Sequence, residues 1–182
     1  MRRSPKYNSL RELPEGSMEI VMISQLVSET ETGSPEETEV LGAALGEKLH
    51  VGDYVALRGD LGAGKTAFTR GLIRHFLPDT SVKSPSYTLV NEYRGAECPI
   101  YHFDMYRIES EDDLLSIGYY DYLEDGICIV EWSEKIPYAI PSAHYCVSIE
   151  KCPENETKRR IRIVQVLPEN VVDRVNSCCT NG

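Results

Sequence analysis

The run Gly59-Asp60-Leu61-Gly62-Ala63-Gly64-Lys65-Thr66 constrains this chain more than any other stretch of it. It has the form Gly-x4-Gly-Lys-Thr, which makes sense only between a buried strand and a helix. Both neighbours are legible. Tyr54 to Arg58 is short and mostly apolar, as a strand covered on both faces should be. Lys65 to Phe76 carries Phe68, Leu72, Ile73 and Phe76 on one side at helical spacing. The glycines allow turns that aim several backbone N–H groups inward. Those groups and the helix start make an anion pocket suited to the β- and γ-phosphates of a purine nucleoside triphosphate. Lys65 brings a point charge to the same oxygens, and Thr66 offers its hydroxyl to magnesium.

Such a site also needs a carboxylate on a neighbouring strand. Glu131 closes the apolar run Ile127-Cys128-Ile129-Val130, at the carboxyl edge of a buried strand, where ligands of α/β proteins bind. Asp104 lies in Tyr101-His102-Phe103-Asp104-Met105-Tyr106, again amid strand residues. The competing reading of each is a surface acid at a strand end. His102 is a conceivable base, although a lone histidine in a strand is more often packed or hydrogen-bonded.

The remaining chain alternates helix and strand signals. Met18 to Ser24 is a β-like run, and Glu29 to Gly33 reads as a polar linker. Ser34-Pro35-Glu36-Glu37 starts a helix, with Ser34 as N-cap, Pro35 at the first position and Glu37 closing a capping box. Val40, Leu41, Ala44, Leu45 and Leu49 then define an apolar face. Thr88 to Arg94 and Ile100 to Tyr106 form a predicted hairpin about Gly95. Ser110 to Asp113 is a second capping box, heading a short helix through Leu114, Leu115 and Ile117. His144 to Glu150 and Arg160 to Val166 are two late strands. The pattern predicts an α/β fold, a three-layer P-loop sandwich with a mixed, mainly parallel sheet. Residues 18–168 form that domain, 1–17 a basic leader without a secretory apolar core, and 169–182 a helix or frayed tail.

The formal net charge is −10. A chain that grips a phosphate backbone by itself is usually basic, so any nucleic acid is expected to be held by something else, and no DNA role is expected. No apolar run approaches the ~18 residues that span a bilayer. The six cysteines show no CxxC or Cys/His metal spacing. Cys128 and Cys146 lie in apolar runs and read as core residues. A reducing, cytoplasmic compartment is expected.

Four segments occur together in order: Gly59 to Thr66, Lys83-Ser84-Pro85-Ser86-Tyr87-Thr88-Leu89-Val90, Tyr101-His102-Phe103-Asp104-Met105-Tyr106-Arg107 and Val130-Glu131-Trp132. The set closely resembles the TsaE (YjeE) family, bacterial P-loop ATPases of tRNA threonylcarbamoyladenosine synthesis, over about Ser34 to Val166. The resemblance implies ATP with Mg2+ as ligands. It implies TsaB and TsaD as partners, which transfer threonylcarbamoyl to adenosine 37 of tRNAs reading ANN codons, while the ATPase supports their repeated turnover. It implies that Lys65, Asp104 and Glu131 serve hydrolysis. It places Thr66 and Glu131 at the metal, and the Ser84 to Thr88 segment, with Ser86 and Thr88, at a switch loop. Trp132 would lie near the nucleotide, and Ser34 would approach the adenine. Ser86 stands where the family usually has Thr, keeping the hydroxyl, and Met105 replaces a usual Leu.

Two other readings fit a P-loop. A small kinase would carry an arginine-rich lid; the region after the sheet offers Arg159 and Arg160, in a strand-like run, and no clear lid. A nucleotide-gated binding module with little hydrolysis would not need both Asp104 and Glu131. A GTPase would carry Asn-Lys-x-Asp, which is absent from the sequence.

Overall fold

A computed structural model of the chain describes residues 22–169. The expected leader at 1–17 lies outside the described residues, as does the expected tail apart from Glu169. Among the described residues one sheet contains β1 (Met22–Thr32), β2 (Tyr54–Arg58), β3 (Val90–Tyr93), β4 (Ile100–Asp104), β5 (Ile127–Glu131), β6 (His144–Cys152) and β7 (Asn155–Pro168). The order across it is β1-β7-β6-β2-β5-β4-β3. The four middle strands run parallel. β3 at one edge, and β7 with β1 at the other, join antiparallel. The helices are α1 (Pro35–Gly46), α2 (Lys65–Phe76), α3 (Glu111–Ser116) and α4 (Tyr119–Tyr122).

Strand alternation divides the core into two layers of contact. Val55, Leu57, Ile129, Val147, Ile149 and Ile161 pack with Leu45, Phe68 and Leu72 of α1 and α2. Tyr54, Ala56, Phe103, Cys128 and Val130 pack on the opposite face with Leu114, Tyr119, Leu123 and Ala139. Helix, sheet and helix therefore form the three layers expected. Every residue of β4 and β5 is buried, because both faces are covered. Burial pushes the Cys128 thiol up to about 12, so it stays a neutral core group. Cys146 is only half-buried, contrary to its core reading, because alternation along β6 turns it away from the face on which Tyr145 and Val147 pack.

The α1–α2 contact is unusually close. A Cβ on Gly71 would lie 1.8 Å from the Glu39 carbonyl, so α1 lies directly on the backbone of α2 there. That contact, not aliphatic spacing, sets the buried face of α1, which is Thr38, Gly42, Leu45 and Gly46. Leu49 is buried as expected, whereas Val40 is 71% exposed and Ala44 is also exposed. The cap at Ser34 forms, its Oγ accepting from Glu37 N at 3.2 Å. The capping box does not close, because the Glu37 carboxylate accepts from Gly33 N at 2.6 Å instead of from Ser34 N. The Ser110–Asp113 box is complete. Leu115 in the following helix is exposed.

The linker expected at Glu29 to Gly33 is strand through Thr32. Its acidic residues are the outward rungs of an edge ladder: Glu31 meets Arg160 at 3.3 Å and Glu29 meets Arg162 at 3.8 Å on β7. Such pairs are invisible until the β1–β7 register is known. The late strands exceed their expected bounds, since β6 and β7 continue to a tight hairpin at Cys152 and Asn155. β3 is shorter than expected, because Thr88 lies in a turn and Leu89 adopts a left-handed φ of 64°.

Candidate functional site

The carboxyl ends of β2, β5 and β4 meet the start of α2. Gly59 leaves β2 at a φ of 139°, and a Cβ there would lie 2.3 Å from the Ile149 carbonyl, so a side chain has no room. Gly64 caps α2 without any side-chain hydrogen bond. The first N–H groups of α2 are thereby left for an anion. Leu61 points outward and is 77% exposed, so Asp60, Leu61 and Ala63 contribute backbone to the loop.

Lys65 is buried. Its Nζ donates to the Gly59 carbonyl at 2.6 Å and the Asp60 carbonyl at 3.0 Å, and lies 3.7 Å from the Trp132 ring centre. Burial pushes its pKa down, while the carboxylates of Glu131, Glu134, Asp104 and Asp60 pull it back up. An anion brought to this loop would replace carbonyl dipoles with full negative charge, a stronger partner for the ammonium.

The Thr66 hydroxyl donates to Glu131 at 2.9 Å to Oε1 and 3.2 Å to Oε2. A hydroxyl and a carboxylate side by side form a hard-oxygen donor pair suited to magnesium, which prefers one or two protein ligands plus phosphate and water. Among the described residues no cluster of three His, Cys, Asp or Glu could cage a metal by itself. The donor set thus fits a magnesium ion carried in with phosphates.

Parallel pairing of β4 and β5 sets Asp104 opposite Glu131. Both are buried, at 4% and 3% exposure, so neither is the surface acid that the sequence alone left open. Asp104 Oδ2 accepts from Ser84 Oγ at 2.8 Å and Ser86 Oγ at 3.0 Å. Its Oδ1 accepts from Tyr106 N at 3.0 Å. The Ser84 to Thr88 loop is therefore tied to Asp104 by two hydroxyls. Thr88 is not part of that tie: its hydroxyl donates to Asn91 at 3.1 Å and it is exposed. Ser34 caps α1, and that helix approaches the loop through Thr38, whose methyl lies 4.0 Å from a Cβ built on Gly64. Trp132 follows Glu131 at a φ of 59°, which turns its ring under Lys65 and to 5.0 Å from the Tyr106 ring.

Two contributors to the loop, Arg159 and Lys151, were not assigned to the site from the sequence. Arg159 Nε donates to the Ala63 carbonyl at 2.8 Å and its Nη2 to the Gly62 carbonyl at 3.4 Å. Lys151 Nζ donates to the Leu61 carbonyl at 2.8 Å. Together they brace the outer rim of the glycine-rich loop from the β6–β7 hairpin. Period two from Ile161 and Ile163 puts Arg159 on the loop side of β7, a signal available in the sequence. His102 is fully buried with Nε2 2.8 Å from Glu131 Oε1.

The family profile described as "Threonylcarbamoyl adenosine biosynthesis protein TsaE" matches residues 32–161. A Haemophilus influenzae tRNA threonylcarbamoyladenosine biosynthesis protein TsaE is 48% identical over 106 residues, 57% of this chain and 67% of that protein. The Rickettsia felis protein of the same name is 37% identical over 122 residues, 66% of this chain and 71% of its own. The crystal structure of Bacillus subtilis YdiB superposes with a TM-score of 0.61 at 26% identity, covering 88% of this chain and 95% of that one. The chain belongs to the TsaE family of tRNA threonylcarbamoyladenosine biosynthesis proteins.

Proposed function

We propose that the chain binds ATP with Mg2+ at Gly59 to Thr66 and hydrolyses it, as the ATPase that works with TsaB and TsaD in threonylcarbamoylation of adenosine 37 in tRNAs reading ANN codons. The observation that carries the reading is the Thr66–Glu131 pair at 2.9 Å beside the buried Lys65. Thr66 and Glu131 would hold the magnesium, directly or through its water. The metal, when bound, neutralises charge on the β- and γ-phosphate oxygens. Lys65 exchanges its two loop carbonyls for those oxygens. The α2 N–H groups cradle the phosphates, and Arg159 and Lys151 keep the loop carbonyls turned away from them. Asp104 orients the attacking water and takes up its proton once Ser84 and Ser86 release the carboxylate. Trp132 walls the pocket beside Lys65, and Ser34 at the start of α1 is assigned to the adenine end.

The acidic charge supports a partner role, with tRNA held by the transferase components. No helix among the described residues is long and apolar enough to cross a membrane. The cytoplasm is assigned from the proposed work on tRNA. A kinase reading is disfavoured because Arg159 is committed to loop carbonyls and not to a lid. The deciding assay measures ATP hydrolysis by the full chain, alone and with TsaB and TsaD. Magnesium-dependent hydrolysis, altered by the partners, supports the proposal. ATP binding without hydrolysis in both conditions would favour a nucleotide-gated binding module, and phosphate transfer to a small acceptor would favour a kinase.

A further inference from the structure

His102 has no place in the chemistry above, yet it touches the residue on which the metal assignment depends. The β4–β5 register sets it one inward-facing step below Asp104, opposite Ile129. It is 0% exposed and its Nε2 faces Glu131 and not the phosphate loop, which does not fit the role of base. Its Nε2 lies 2.8 Å from Glu131 Oε1. A carboxylate only accepts, so Nε2 carries the proton and donates. Its Nδ1 is buried with no hydrogen-bond partner among the described residues. Leaving a ring nitrogen unpaired in the core is unfavourable. The neighbours on that face, Ile100 and Ile129, are fully buried aliphatics, and an aliphatic residue in place of His102 would avoid the penalty. The one group that gains from an imidazole here is the Glu131 carboxylate.

We infer that His102 is a positioning residue whose Nε2–H fixes the Glu131 carboxylate in the rotamer that faces Thr66. The inference rests on the magnesium-ATP reading of the site. Glu131 is a flexible side chain at a strand end, and Thr66 alone bonds both its oxygens loosely, at 2.9 and 3.2 Å. A second donor, from a rigid and fully packed ring on the adjacent strand, removes the remaining freedom. Partners that orient a metal ligand typically alter metal affinity by about 10–100-fold when removed.

The test is a calorimetric titration of the full chain with ADP, in excess EDTA and then in Mg2+, for wild type, His102→Leu and His102→Gln. The Gln amide nitrogen stands close to where imidazole Nε2 stands. His102→Leu is expected to bind ADP in EDTA within about twofold of wild type and to lose at least about tenfold of the affinity gained from Mg2+, with His102→Gln restoring most of it. Wild-type magnesium dependence in a folded His102→Leu, or a His102→Gln no better than the leucine variant, would overturn the role. A second readout needs no variant: the His102 Nε2–H resonance of wild type should move on adding Mg2+ to the ADP complex, and an unmoved resonance would also overturn it. A wild type that binds no ADP, or binds it without regard to Mg2+, removes the nucleotide reading itself. Magnesium dependence equal in wild type and His102→Leu removes only the positioning role.

Discussion

The end of β5 and the end of β4 carry neighbouring carboxylates, but the two are held by different kinds of structure. Glu131 is bonded by Thr66 of α2 and His102 of β4, both on regular elements packed into the core. Asp104 is bonded by Ser84 and Ser86, in a segment with no helix or strand, and by the Tyr106 N–H. Regular elements open only with much of the fold, whereas a loop opens alone at low cost. Under the proposed function, this contrast fits Glu131 to a permanent task, holding the metal, and Asp104 to a task that begins when the loop moves. Two left-handed positions border these carboxylates: Trp132, at a φ of 59°, directly follows Glu131, and Leu89, at a φ of 64°, accepts from the Asp104 N–H at 3.0 Å. Each conformation of that kind costs on the order of 1 kcal/mol or more and persists only when its surroundings hold it.

The largest expected effect comes from Glu131→Ala, which removes the fixed anchor. Hydrolysis should fall by about 10³-fold or more, and the Mg2+ dependence of ADP binding should vanish with it. Retained magnesium dependence in a folded variant would end the distinction. Asp104→Ala should cost about 10²-fold in hydrolysis while ADP affinity stays near wild type, since only the step after loop release is lost. Equal loss of ADP affinity in both variants would show that the two carboxylates share one job.

Arg159→Ala comes next. It frees the Ala63 and Gly62 carbonyls, and nucleotide affinity should drop by about tenfold with the ratio of ATP to ADP affinity unchanged, as for one lost charged hydrogen bond. An unchanged affinity would make the β6–β7 brace structural only. The smallest effects belong to Ser84→Ala and Ser86→Ala, each within a few fold in hydrolysis. Because both hydroxyls donate to Asp104 Oδ2 and lie 2.8 Å from each other, the double variant should differ from the sum of the singles. Additive effects would show that the loop is not held through Asp104.

The parts of the molecule that sequence disclosed are those where local pattern and burial agree. β2 and α2 appear at their predicted bounds, and β5 runs one residue past the expected Ile127 to Val130, because the apolar runs, the glycine-rich turn and the helical spacing are local signals that agree with burial. Asp104 and Glu131 could be nominated from strand position alone. What stayed hidden depends on register between distant segments. The strand character of Glu29 to Thr32 follows from pairing with Arg159 to Arg162, more than a hundred residues away. The buried face of α1 follows from how closely the glycine backbone of α2 admits it, which no hydrophobic pattern encodes. The His102–Glu131 bond follows from β4 lying beside β5, and the Thr88 hydroxyl bonds Asn91 and not Asp104, a choice that depends on the turn into β3.

The nucleotide assignment turns on Lys65, whose ammonium bonds loop carbonyls and covers the single tryptophan at once. Titrating MgATP into wild type and Lys65→Ala, with heat and Trp132 emission recorded together, tests it directly. Wild type should show a saturable emission change that tracks the heat, and the variant should bind at least about 2 kcal/mol more weakly. MgATP binding of equal affinity in the two proteins would contradict the assignment, and a flat wild-type emission during binding would separate Trp132 from the phosphate site.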